Sequence, residues 1–164
     1  MDRAARRVAS FLKEDRGARS AHGPETPALM LLLIDTGVLY AMIDRRDRWH
    51  RRVVDYVNDI RPSLLTPVTI LPEAAYLVRT RLGASVELKM ILGLAKGEVS
   101  IEPLKADDAT RAAGLMAKYP QLGFVDATVV AIAERLALTT IATTDRRHFG
   151  LVRPAHTAQF AFAP

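Results

Sequence analysis

Cysteine is absent from this chain, which excludes disulfides and cysteine-ligated zinc or iron–sulfur centres and leaves oxygen or histidine to hold any metal. No apolar run approaches the ~20 residues that a membrane helix needs, and the N-terminus lacks the apolar core of a signal peptide. The expected location is therefore the cytoplasm, with no membrane partner. Internal repeats and low-complexity segments are missing as well. What is present is ordinary for a folded globular protein, with 49% hydrophobic and 25% charged residues in a length of 164 that suits one domain better than two. A formal charge of +5 and a pI near 9.9 favour a polyanionic partner such as nucleic acid. Arg45, Arg46, Arg48, Arg51 and Arg52 cluster in one segment, while Arg79, Arg81, Arg146 and Arg147 lie near acidic positions. Any one of these runs, taken alone, also fits a solvated helix face.

Two parts differ in character. In residues 1–29, Ala4, Ala5, Val8, Phe11 and Leu12 have the spacing of a short amphipathic helix, and Gly17 to Pro27 reads as a linker. Met30 opens the first strand, so translation is expected to begin there natively and 1–29 to be a dispensable extension. From Met30 to Pro164 strands alternate with helices. An apolar strand, Met30 to Ile34, is followed by a helix with Trp49, Val53, Val57 and Ile60 on one face. Leu64 to Thr66 then forms a strand, and a helix with Leu71, Ala74, Val78 and Leu82 stops at Gly83. Further helices are expected at Ser85 to Ala95, after an N-cap at Asp107 or Asp108, and from Val125 to Leu136. Met90 and Met116 are read as core residues. Strands are expected at Val99 to Ile101, from Thr139 onward, and near Gln159 to Phe162. This alternation predicts an α/β fold with a mostly parallel sheet of four to five strands between layers of helices.

Four carboxylates sit where elements start or stop. Asp35 ends the first strand, Asp145 ends the run Thr139 to Thr144, and Glu73 and Asp126 stand at helix starts. Each has a bland explanation as a turn former or a residue favoured by the helix dipole. Jointly, a doubly wound sheet can bring all four to the carboxyl edge of its strands, where ligands gather. Their mutual repulsion there would have to be relieved by protonation or by a cation, most simply a divalent metal.

The local words around these acids resemble those of PIN-domain ribonucleases, and specifically the VapC toxins of bacterial toxin–antitoxin pairs. The matching segments are Leu33-Ile34-Asp35-Thr36, Glu73-Ala74-Ala75-Tyr76, Phe124-Val125-Asp126-Ala127 and Thr143-Thr144-Asp145-Arg146-Arg147-His148-Phe149. The last is the most specific. The likeness runs from Met30 almost to Pro164 and leaves 1–29 outside. It implies a PIN-like three-layer α/β/α fold in which Asp35, Glu73, Asp126 and Asp145 bind Mg²⁺ or Mn²⁺, with Thr143 and Thr36 supporting them. It also implies an endoribonuclease toxin that cuts RNA to leave a 5′-phosphate and a 3′-hydroxyl, a homodimer, and a cognate VapB-type antitoxin that covers the acidic groove. Arg146 and Arg147, with Arg45 and Arg46, are the expected holders of the RNA backbone. Gly37 departs from the pattern, because many members carry Ser or Asn there.

Three rivals stand beside this reading. Asp35-Thr36-Gly37, with Ile91-Leu92-Gly93, also matches words of retroviral-type aspartic proteases, although those are built almost wholly of β-structure. A metal-independent ribonuclease could use His148 or His50 as general base. A basic nucleic-acid-binding module would need its acids only as caps. His148 and His156 alone make no convincing zinc pair, and Trp49 reads as a helix anchor with base stacking as the alternative.

Overall fold

The computed structural model describes residues 30–164. The expectations for 1–29 lie outside the described residues. Strand β1 (Leu31–Ile34) leads into helix α1 (Thr36–Ile43), α2 (His50–Ile60) and β2 (Ser63–Pro67). A 3₁₀ turn at Val68–Ile70 precedes α3 (Leu71–Leu82), followed by α4 (Ala84–Ala95) and β3 (Ser100–Glu102). Then come α5 (Ala106–Lys118), α6 (Phe124–Arg135), β4 (Thr140–Ala142), α7 (Arg146–Phe149) and β5 (Ala161–Ala163).

The five strands lie in the order β3-β2-β1-β4-β5, and every pairing is parallel. With the helices they make the three-layer α/β/α arrangement. A parallel strand covered on both faces needs a continuous apolar run instead of alternation. β1 meets that need, since Leu32, Leu33 and Ile34 are all buried. Leu33 pairs with Leu65 on one side and Ile141 on the other, so β1 forms the spine of the core. Burying each such side chain contributes roughly 1.5–3 kcal/mol. The chain steps outward from β1 through β2 to β3 and then returns to β1's other flank as β4. That reversal creates a crevice at the carboxyl ends of β1 and β4, the position where open α/β sheets place their ligands.

Helices α5 and α6 are tied by charge as well as by packing. The Arg135 guanidinium donates from Nε to Asp108 Oδ1 at 2.8 Å and from an Nη atom to Glu102 Oε1 at 2.8 Å. Arg111 grips Glu134 through two bonds of 2.6 and 2.8 Å. Asp108 does not cap α5 from the N-cap position. Lys105 occupies that position, and Asp108, three residues on, accepts from the Lys105 backbone N–H at 2.9 Å. The buried stripe of α5 is Asp108, Ala112 and Leu115, which turns Met116 out to solvent and corrects its reading as core; Met90 is buried.

Helix α1 is the element that periodicity did not reveal. All six residues from Val38 to Ile43 are buried, so no polar face marks a helical repeat. Other boundaries shift slightly. Strand β4 ends at Ala142, so Thr143 and Thr144 intervene before Asp145, which starts α7 and does not end a strand. Gly83 stops α3 as expected, with φ +96°, a conformation open to glycine at little cost.

Candidate active site

All four acids stand in or before the first turn of a helix, where unpaired N–H groups and the helix dipole favour negative charge. Asp35 is the N-cap of α1 and accepts from Val38 N at 2.7 Å. Glu73 and Asp126 lie in the first turns of α3 and α6. Asp145 caps the short α7 by accepting from His148 N at 3.2 Å. All four line one cavity of about 430 Å³ at the β1–β4 crevice.

Their surroundings differ. Asp35 is buried, Asp126 and Asp145 are half-buried, and Glu73 is exposed. Thr143, fully buried beyond the end of β4, donates its hydroxyl to Asp35 Oδ2 at 2.5 Å. Thr143 Oγ1 in turn accepts from Asp145 N at 2.9 Å, so one threonine orients two of the acids. Thr36 donates to Glu73 Oε2 at 2.7 Å. His148 Nδ1 lies 2.8 Å from Asp145 Oδ2. Gly37 also has a structural reason. A β-carbon there would stand 2.0 Å from Thr144 Oγ1, so its absence lets the β4–α7 loop close onto the first turn of α1.

Burial pushes the Asp35 carboxyl up from 3.8 to about 6; its hydrogen bonds from Thr143 and Val38 oppose the rise, and the charges of Asp126 and Asp145 add to it. Asp126 is also raised, first by burial and then by Asp145 and Glu73, with His148 acting against them. Asp35 and Asp126 thus resist carrying charge, and Asp145 acts on both of them. Carboxylates are the hard oxygen donors that suit Mg²⁺ or Mn²⁺, and charge strain of this kind is relieved by a cation. Among the described residues no three acid or histidine side chains stand close enough for a ready-made cage. The donor set fits a divalent ion that keeps several of its waters better than one enclosed by protein ligands.

The arginines named from sequence are placed elsewhere. Arg45, Arg46, Arg146 and Arg147 are exposed, and none lines the cavity. Arg146 instead donates to the Pro164 carbonyl. His50 is also committed elsewhere, with Nδ1 2.7 Å from the Ala41 carbonyl, and His156 Nε2 lies 2.9 Å from the Leu138 carbonyl. Neither histidine lines the cavity. The parallel sheet removes the aspartic-protease reading, because Asp35-Thr36-Gly37 is here a strand-to-helix junction. Residues that sequence reasoning left out of the site are Tyr40, Asp47 and Thr144, which line the cavity together with Trp49, read as a helix anchor with base stacking as the alternative, and Arg81, noted only for its nearness to acidic positions.

A crevice of carboxylates at the switch point of a five-stranded parallel sheet is the architecture of a PIN domain. The chain belongs to the PIN-domain family, whose model matches residues 32–153. It is similar to ribonuclease VapC26 of Mycobacterium tuberculosis, with 33% identity over 135 residues that cover 81% of this chain and 100% of the relative. Among solved structures it resembles VapC20 of M. tuberculosis, a toxin that cleaves the sarcin–ricin loop. The TM-score is 0.65 and the identity 19%, over 71% of this chain and 92% of that one. It also resembles a DNA-bound VapBC complex from Salmonella typhimurium, with TM-score 0.63 and identity 14%, over 82% of this chain and 98% of that one.

Proposed function

We propose that the chain is a metal-dependent endoribonuclease, the toxin of a VapBC-type toxin–antitoxin pair, with Asp35, Glu73, Asp126 and Asp145 as its Mg²⁺- or Mn²⁺-binding acids. One observation carries this reading: four carboxylates from four separate segments line a single cavity, and Asp35 and Asp126 are held above their ordinary range first by burial and then by the neighbouring carboxylates. A bound divalent ion would supply neutralising charge at the scissile phosphate and make a water proton easier to remove. The chain's own residues set the geometry. Thr143 fixes the Asp35 carboxylate and the Asp145 backbone, and Thr36 fixes Glu73. Water adds to phosphorus as the bond to the 3′-oxygen breaks, leaving a 5′-phosphate and a 3′-hydroxyl.

In the same reading, residues 30–164 are the catalytic unit, 1–29 an extension, and the active species a cytoplasmic homodimer. A VapB-type antitoxin segment covers the cavity, and a cation from that segment would compete with the metal for the carboxylates. The likeness to VapBC complexes and to ribonuclease VapC26 supports both the partner and the activity. Among the described residues no helix is long and apolar enough to cross a membrane.

The test is to incubate the protein with total RNA in Mg²⁺ or in EDTA and map new 5′-phosphate ends. Discrete ends in Mg²⁺ that vanish in EDTA are expected. Equal cleavage in EDTA would contradict the reading and favour a histidine-based mechanism.

A further inference from the structure

The carboxylates account for part of the cavity only. Trp49, Tyr40 and Arg81 also line it, and they come from segments that the acids alone do not explain. Tyr40 lies five residues beyond Asp35 on α1, and Arg81 eight residues beyond Glu73 on α3. At 1.5 Å per residue these offsets are about 7.5 and 12 Å along the two helices, which pack against each other. The Arg81 guanidinium sits 5.6 Å from the centre of the Tyr40 ring. Arg52 and Arg48 lie over the Trp49 indole at 5.4 and 5.9 Å. Among the described residues none of these three arginines is in an ion pair; Arg81 lines the cavity and also reaches the Tyr40 side chain, while Arg48 and Arg52 stand beside Trp49 outside the lining. All three are exposed, while Trp49 is half-buried and Tyr40 buried.

Exposed guanidinium groups beside aromatic rings provide what single-stranded nucleic acid needs: a flat apolar surface for a base and cations for phosphate. Tyr40 and Arg81 stand about 7.5 and 12 Å along their helices from the acids, a span that roughly one to two nucleotides of a single strand can bridge, and Trp49 lines the same cavity. We propose that Trp49, with Arg48, Arg52 and Arg81, forms a nucleotide subsite for an unpaired stretch of RNA. The indole stacks a base near the cut, and the guanidinium groups hold adjoining phosphates, so that the scissile phosphate is placed on the carboxylates. The subsite rests on the endoribonuclease reading and deepens it by naming the side chains that position the strand on the carboxylates. It assigns the phosphate contact in the cavity to Arg81, which lines it, and adjoining contacts to Arg48 and Arg52 beside Trp49.

The test uses two fluorescent probes of equal length in EDTA, one a single-stranded RNA oligonucleotide of mixed sequence and the other its fully abasic ribose-phosphate counterpart. Anisotropy is measured for the wild type, Trp49→Ala, Trp49→Phe and Arg81→Gln, with cleavage in Mg²⁺ followed in parallel. Trp49→Ala should bind the base-bearing strand about tenfold more weakly and the abasic strand as the wild type does, and Trp49→Phe should retain most of the affinity. Arg81→Gln should weaken both probes and flatten the salt dependence by about 0.7 in the log–log slope. A merely structural Trp49 would change both probes together, which would overturn the subsite. Wild-type cleavage with equal binding by all four proteins would also overturn it and leave the nuclease intact. A wild type that neither binds nor cuts RNA would remove both.

Discussion

Asp35→Asn is expected to abolish RNA cleavage and, in the absence of metal, to make the protein more stable at neutral pH. The Asp35 carboxyl has an ordinary value of 3.8 and a folded value of about 6. Between those values the folded chain holds a proton that the unfolded chain has released. The group's contribution to stability is therefore complete below pH 3.8 and is lost as pH rises through about 6. At pH 7.5 the charged, buried side chain costs about 3 kcal/mol. Asparagine keeps an oxygen for Val38 N and carries no charge, so it removes most of that cost. Thermal melts in EDTA should show the variant melting on the order of 5–10 °C above the wild type at pH 7.5. The difference should disappear near pH 4. Cleavage in Mg²⁺ should fall by about 10²–10³, in line with the loss of one principal electrostatic group. A variant that melts below the wild type at pH 7.5 would show that Asp35 serves the fold and not the site.

The second large effect concerns the frame that holds Asp126. Arg135 closes the last turn of α6, the helix that presents Asp126 from its first turn, and it pairs with Asp108 and Glu102 across α5 and β3. Asp108 is buried, with 2% of its side chain exposed. Burial alone would raise its carboxyl, yet the Arg135 guanidinium and the Lys105 N–H hold it below the ordinary range. Arg135→Met leaves that carboxylate buried without its partner. The expected cost is about 2–4 kcal/mol at neutral pH. It stays below the largest losses known for buried pairs because the guanidinium keeps 21% of its surface exposed. Denaturant melts measure the loss directly. It should shrink as pH falls and the carboxylate takes up a proton, since a depressed acid contributes stability only above its folded pKa. A variant as stable as the wild type would mean that Asp108 finds another donor.

These two cases show why some of the molecule is legible in the chain and some is not. Strands β1, β2 and β4 are visible because a parallel strand buried on both faces must be an apolar run with turn residues beside it. The acids are visible because they stand next to those runs or at helix starts. Helix α1 is hidden for the same reason that β1 is visible: burial all round erases the polar face on which helical periodicity depends. Asp108 is acidic, near a helix start and followed by alanines, so it mimics an N-cap, and only the partner three residues back distinguishes the two roles. The aromatic and cationic part of the cavity is assembled from residues 40, 49 and 81, whose meeting depends on how α1 packs against α3. Sequence proximity pointed to Arg146 and Arg147, but the short α7 turns Arg146 toward the C-terminus. In the 45–52 cluster, Arg48 in the turn before α2 and Arg52 in its first turn flank Trp49 at the N-cap, which brings both to the indole ring.

A divalent ion shared by side chains that otherwise repel each other is the centre of the proposed function, and Mn²⁺ titration followed by water-proton relaxation at pH 7.5 measures its binding directly. The wild type should show saturable binding, and Asp126→Asn should bind at least tenfold more weakly while melting normally. Equal Mn²⁺ affinity in the two proteins would contradict the account.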